Sequence, residues 1–137
     1  MIILITSHAN LADGLVSAFE MIAGHKNYIQ ALSLNTSGVN EFRRRLLAFL
    51  NNAPSPVLIL ADVKGGTPYN EAYKYYLAHS NKCSLVSGVN LPMLLEIGTN
   101  IENCTDLDDV KAKTKAIGQQ GIEIAEDIVE DNDDLDF

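Results

Sequence analysis

Hydrophobic positions along this chain alternate between short unbroken runs and longer sets at helical spacing. Ile2 to Ile5 is a continuous apolar run, the pattern of a strand covered on both faces. Leu11, Leu15, Ala18, Phe19 and Ile22 then recur at helical spacing, predicting a helix over Leu11 to Ala23 that stops at Gly24. Tyr28 to Leu34 alternates as a second strand, Asn35 to Asn40 is a polar loop, and Glu41 to Leu50 is amphipathic through Phe42, Leu46, Phe49 and Leu50. Pro56 introduces the clearest strand, Val57 to Ala61, which Asp62 ends. A glycine pair leads into Thr67-Pro68 and a helix from Tyr69 to about His79, where a first-turn proline costs nothing because that N–H has no intrahelical partner. Cys83 to Ser87 reads as a fourth strand, and Gly88-Val89-Asn90 as a turn. Leu91 to Ile97 and Asp106 to Gln119 read as two further helices. Ile122-Glu123-Ile124 fits either an added edge strand or a continued helix, which periodicity does not separate.

The order β-α-β-α-β-α-β-α predicts an α/β fold, a three-layer sandwich around a mostly parallel four-stranded sheet, with Ile122 to Ala125 the candidate for a fifth edge strand. A chain of 137 residues without an internal linker is expected to form one domain, residues 1–125, followed by an acidic tail, 126–137.

Charge sharpens that division. The formal net charge is -8, yet seven of the 18 acids lie between Glu126 and Asp136, and the body keeps 11 acids against 10 bases. The tail is therefore expected to be solvated and mobile. A near-neutral body argues against nucleic-acid binding, which needs a basic surface. The basic cluster Arg43, Arg44, Arg45 is expected to line a wet helix face. Cys83 and Cys104 show neither CxxC pairing nor metal-ligand spacing, so no zinc site or disulfide scaffold is expected and a reducing cytoplasm is the natural setting. No apolar run approaches the roughly 18 residues that span a bilayer, and the N-terminus reads as a strand, not a signal peptide. Any membrane tie would come through partners.

Parallel sheets bind ligands beyond the carboxyl ends of their strands, where strand order switches. That rule selects three loops: Thr6 to Asn10, Asp62 to Pro68, and Ser87 to Asn90. Two of them carry a titratable group at the critical place, His8 and Asp62. An imidazole has a neutral, nucleophilic form near neutral pH, and a carboxylate on one ring N–H would fix the tautomer and stabilise a positive ring. Gly65 and Gly66 let main-chain amides approach a phosphate, Thr67 offers a hydroxyl, and the next helix presents its positive end. Ser7 stands beside the histidine as a further candidate phosphate ligand. Singly, each of these features also has a structural explanation; together they point to phosphoryl transfer on His8. No Walker A sequence or GxGxxG string is present to hold a nucleotide, and the chemistry requires neither metal nor cofactor. His25 and His79 are expected to be incidental.

Four stretches in order resemble the IIA proteins of the mannose-type branch of the bacterial phosphoenolpyruvate-dependent sugar phosphotransferase system. They are Ile5-Thr6-Ser7-His8 with Ala12-Asp13-Gly14-Leu15; Leu60-Ala61-Asp62; Gly65-Gly66-Thr67-Pro68-Tyr69-Asn70; and Gly88-Val89-Asn90-Leu91-Pro92-Met93-Leu94. The resemblance covers the chain to about Ile124. It implies a phosphohistidine at His8, a ring partner at Asp62 and a phosphate-binding hydroxyl at Thr67. It further implies a phosphoryl donor, the carrier protein HPr, an acceptor, a IIB protein, and membrane IIC and IID subunits reached indirectly. Members form homodimers that exchange a C-terminal strand, placing the candidate exchanged, antiparallel strand here near Ile122 to Ala125.

This chain departs from the pattern at the rim. Val63-Lys64 stands where some members have a tryptophan, and Ala9-Asn10 where an aromatic is often found, so partner choice is what these positions bear on. The tail takes the place of the linker to IIB in fused members, so a free-standing subunit is expected. Two rivals remain: the phosphocarrier subunit of a phosphoenolpyruvate-dependent dihydroxyacetone kinase, and a non-catalytic flavodoxin-like regulatory module. The first lacks the G-G-[ST]-P-[FY]-N string, and the second would tolerate loss of His8.

Overall fold

A computed structural model describes residues 1–127. The expected strands and helices follow one another as β1 (Ile2–His8), α1 (Leu11–Ala23), β2 (Ile29–Leu34), α2 (Val39–Asn52), β3 (Val57–Ala61), α3 (Thr67–Ala78), β4 (Cys83–Ser87), α4 (Leu91–Asn100) and α5 (Leu107–Gln120). A single 3-10 turn, Ile101–Asn103, joins α4 to the last connection. The four strands lie in the order β2-β1-β3-β4 and every pairing is parallel.

Alternation along the strands divides the core. Ile3, Ile5, Leu58 and Leu60 face α1, α4 and α5, where Phe19, Leu94, Ile97 and Val110 meet them. Leu4, Val57 and Ile59 face the other way, onto Phe42, Leu46 and Leu50 of α2 and Ala72 and Tyr75 of α3. The sheet is thus covered on both sides, which is why its central strands read as unbroken apolar runs. Cys83 is one of the buried residues, and burial pushes its thiol up to about 11.

The structure shifts several expected boundaries. β1 runs on through the polar residues to His8, because Thr6, Ser7 and His8 continue the ladder with Leu32, Ser33 and Leu34. Thr6, fully buried, also donates its hydroxyl to the Leu32 carbonyl at 2.8 Å. Helix α3 begins at Thr67, two residues before the expected start, since proline is tolerated in a first turn. Ile122 to Asp127 neither continues α5 nor pairs with this chain's sheet, and Ile122 and Ile124 stand 78% and 83% exposed. Of the acidic tail, residues 128–137 lie outside the described residues.

The arginine cluster is not a uniformly wet face. Arg43 donates from Nε and Nη2 to both carboxylate oxygens of Glu71 at 2.9 Å, tying α2 to α3. Arg45 donates to the Ser33 carbonyl at 2.8 Å, and only Arg44 stays within its own helix, on Glu41. Glu71 is 8% exposed; the Arg43 hydrogen bonds outweigh burial and hold its carboxyl below the usual range.

Helix α4 crosses α1 at Gly98. A Cβ there would sit 2.7 Å from Phe19 Cε2 and 3.1 Å from Ile29 Cδ1, both in the core. Gly98→Ala improves helix propensity by about 1 kcal/mol but overpacks this crossing, a cost of about 1–3 kcal/mol. A net fall in urea-unfolding stability is expected, and a stabilised variant would show that the crossing is loose.

Candidate functional site

His8 ends β1 and Asp62 immediately follows β3, the two adjacent central strands. From β1 the sheet continues one way to β2 and the other way to β3, so this pair occupies the point where strand order switches. Thr6 pairs with Ala61, and the Asp62 amide extends that ladder by donating to the Thr6 carbonyl at 3.1 Å. The register alone therefore brings the two side chains together.

The Asp62 carboxylate is held by three donors. Oδ2 accepts from the His8 amide at 2.9 Å and lies 2.6 Å from His8 Nδ1; Oδ1 accepts from the Val63 amide at 2.9 Å. Asp62 is 9% exposed at its side chain while His8 is 49% exposed. Burial works to raise the carboxyl, but the His8 amide, the His8 ring and the Val63 amide together lower it below the ordinary value. The carboxylate contacts thus contribute stability fully above about pH 4, where an unfolded-chain aspartate is ionised, and lose it as pH falls through the lowered value. An ionised Asp62 fixes the proton on Nδ1, which leaves Nε2 with the lone pair.

The glycine loop walls the ring on its other side. Val63 to Gly66 is a turn closed by the Gly66 amide on the Val63 carbonyl at 3.3 Å, with Gly65 at φ +87°. That positive φ at the third position is the requirement of a type II turn, which glycine meets without strain. Gly66 itself has an ordinary φ of -75°, yet a Cβ on it would lie 2.7 Å from His8 Cε1. The imidazole is wedged between a carboxylate and a bare Cα.

Thr67 opens α3, and Pro68 in the first turn has no N–H to leave unsatisfied. The amides of Thr67 and Tyr69 have no intrahelical acceptor, so the positive end of α3, which follows the loop that walls the ring, is chemically suited to an anion. Among the described residues the Thr67 hydroxyl takes part in no hydrogen bond.

Ser7 lies elsewhere. It is fully buried, and its Oγ accepts from the Ala12 amide at 2.8 Å and lies 3.5 Å from the Ala9 carbonyl. It secures the start of α1 from beneath the loop, while Ala9 at φ 51° turns the chain between strand and helix. The third loop is spent on scaffolding: Asn90 accepts from the Met93 amide and donates to the Gly118 carbonyl, both at 2.9 Å. Among the described residues no group of three His, Cys, Asp or Glu side chains is placed to hold a metal ion, and no helix is long and apolar enough to cross a membrane.

The sequence marks Gly66 as a residue that lets amides approach a phosphate, and gives no sign of its close approach to the His8 ring. That sign, a glycine whose φ does not need one, becomes visible only with the backbone.

Fold and rim together define a class: a doubly wound α/β protein that displays a carboxylate-held imidazole at the carboxyl ends of its central strands. The family model described as "PTS system fructose IIA component" matches residues 2–115. The fructose-specific EIIA component of the sugar phosphotransferase system (PTS) of Bacillus subtilis is 30% identical over 131 residues, 93% of this chain and 88% of that protein. A phosphotransferase system component EIIA of Streptococcus agalactiae superposes with a TM-score of 0.83 at 30% identity, over 90% of this chain and 95% of that one. The mannose/sorbose-specific IIA subunit of Enterococcus faecalis does so with a TM-score of 0.82 at 28% identity, over 96% and 98%. This chain belongs to the mannose-type family of IIA components of the sugar phosphotransferase system. It is therefore a phosphoryl-carrying component of sugar uptake.

Proposed function

We propose that the protein accepts a phosphoryl group from HPr on Nε2 of His8 and passes it to a IIB protein, with membrane IIC and IID subunits reached only through that acceptor. The 2.6 Å contact between His8 Nδ1 and Asp62 carries this reading, because it leaves one defined nitrogen free at a half-exposed rim. In the forward step Nε2 attacks phosphorus in line with the P–N bond of the donor's phosphohistidine. The new N–P bond forms as the old one breaks, and its electron pair returns to the donor ring. Nδ1 keeps its proton, so the ring becomes cationic and Asp62 balances it. The Thr67 hydroxyl, with the amides of Gly65 and Thr67, receives the equatorial oxygens. Ser7 serves the phosphate through the backbone it secures.

The carrier domain on this reading is residues 1–125, working in the cytoplasm and dependent on no metal or cofactor. Two copies associate: β4 is an edge strand, and the alternating pair Ile122 and Ile124 is left open to solvent within one chain. Pairing of that segment with a second copy would cover both.

With phosphoenolpyruvate, enzyme I and HPr, the wild-type protein should gain one acid-labile phosphoryl group per chain and surrender it to a IIB protein. Absence of label under those conditions would overturn the reading. Asp62→Asn should slow acceptance by about 10²-fold, since an amide cannot balance the charged ring. Equal rates for the two proteins, read by quenched-flow labelling, would remove Asp62 from the mechanism.

A further inference from the structure

We propose that Asn70 is a positioning residue for His8: it grips the two glycines that wall the imidazole and so sets where Nε2 points. This role rests on the phosphoryl-carrier reading for its consequence, though not for its geometry. Asn70 lies one turn into α3, on the exposed side of the helix and away from both core clusters. Its side-chain Nδ2 donates to the Gly65 carbonyl at 3.0 Å, and its own amide donates to the Gly66 carbonyl at 2.8 Å.

Both bonds act on the loop against which the ring rests. Gly65 at φ +87° could adopt many other conformations, because glycine lacks the Cβ that restricts φ. The internal closure of the turn, Gly66 amide to Val63 carbonyl, is long at 3.3 Å. The Asn70 side chain is thus what anchors the Gly65 peptide from outside. Once its carbonyl is turned toward α3, that oxygen is kept away from the place where phosphate oxygens would gather. Gly66, next along, has the His8 ring and the Val63 side chain as the nearest neighbours of its Cβ position. A loop that drifts outward leaves the ring free to rock about its Asp62 bond.

Asn70 touches neither the ring nor the proposed phosphate site directly, so its effect should be on orientation, not on donor binding. Two variants separate this from a fold effect: Asn70→Ala removes the donor, and Asn70→Asp keeps the shape while setting a carboxylate against the carbonyl. In each, the maximal rate of acceptance from phospho-HPr should fall about tenfold or more, with KM changed less than about twofold. The ring nitrogen resonances of His8, observed with labelled histidine in the full-length chain, should shift toward a mixture of tautomers, while the thermal midpoint moves by about 2 °C or less.

Wild-type maximal rates in both variants would overturn the proposal. So would lowered rates with unchanged ring resonances, because the loss would then arise away from His8. Should the wild-type chain itself take no label, the carrier reading falls. The ring resonances then decide this inference alone: altered in the variants, they uphold it; unaltered, they refute it.

Discussion

His8→Ala is expected to leave the chain folded and to reduce its phosphoryl uptake from HPr below detection, a loss of more than about 10³-fold. The fold should survive because the ring is half exposed and Asp62 keeps two of its three donors, the amides of His8 and Val63. The stability lost is that of one charge-assisted hydrogen bond at the surface, about 1–2 kcal/mol. A useful contrast lies within the same molecule. His25 Nδ1 also sits against a carboxylate, that of Glu20, near the end of α1. That pair has exposures of 74% and 37%, with Glu20 in the last turn of α1 and His25 just past its C-terminal end, where the helix dipole repels an anion. His25→Ala should therefore retain full labelling. Label that persists without His8, or disappears without His25, would show that a histidine–carboxylate pair alone sufficed and that the amides at the strand ends were irrelevant.

Gly66→Ala should also damage transfer severely, though less than His8→Ala, while sparing the fold. The backbone at Gly66, φ -75° and ψ 164°, is one that alanine adopts without strain. What the added methyl meets is the His8 ring, 2.7 Å from Cε1, where an ordinary carbon–carbon contact is about 3.5–4.0 Å. Val63 Cγ1 at 3.1 Å closes the alternative direction. The ring must yield by about 1 Å, and because Nδ1 is held on Asp62 that movement strains the 2.6 Å bond. Displacement on that scale costs about 10²-fold in an in-line transfer. Circular dichroism and thermal unfolding close to wild type, with acceptance reduced to that extent, is the expected pattern. A variant that transfers at the wild-type rate would mean that the ring does not need the wall.

The sequence exposed some of this plan better than other parts, for physical reasons. β3 was plain because a strand buried on both faces has to be apolar throughout, and its end at Ala61 was marked by the first charge. The meeting of His8 and Asp62 followed from a rule about where parallel strands end. The length of β1 did not follow, because Thr6 and Ser7 are buried by means of hydrogen bonds, to the Leu32 carbonyl and the Ala12 amide. Hydropathy sees only their polarity. Ser7 is also one pleat away from His8, so its side chain points to the opposite face of the sheet, a consequence of strand periodicity once β1 is known to include both. The Arg43–Glu71 pair joins residues 28 positions apart, and no local pattern says which of three neighbouring arginines will bend inward. Gly66 illustrates the hardest case. Absence of a side chain does not say whether something is close, as at Gly66, or whether the backbone takes a positive φ, as at Gly65.

The paired groups are 54 positions apart in sequence, and they meet only because β3 docks directly beside β1 after a whole β-α-β-α passage has been laid down. If the pair transfers phosphate as proposed, competence is a certificate of completed assembly. On the proposed reading, a chain still emerging from the ribosome, or one that has collapsed with its central strands out of register, would display the imidazole without its counter-charge and accept phosphate from the relay far more slowly. On that reading the topology itself discriminates in favour of finished copies as acceptors.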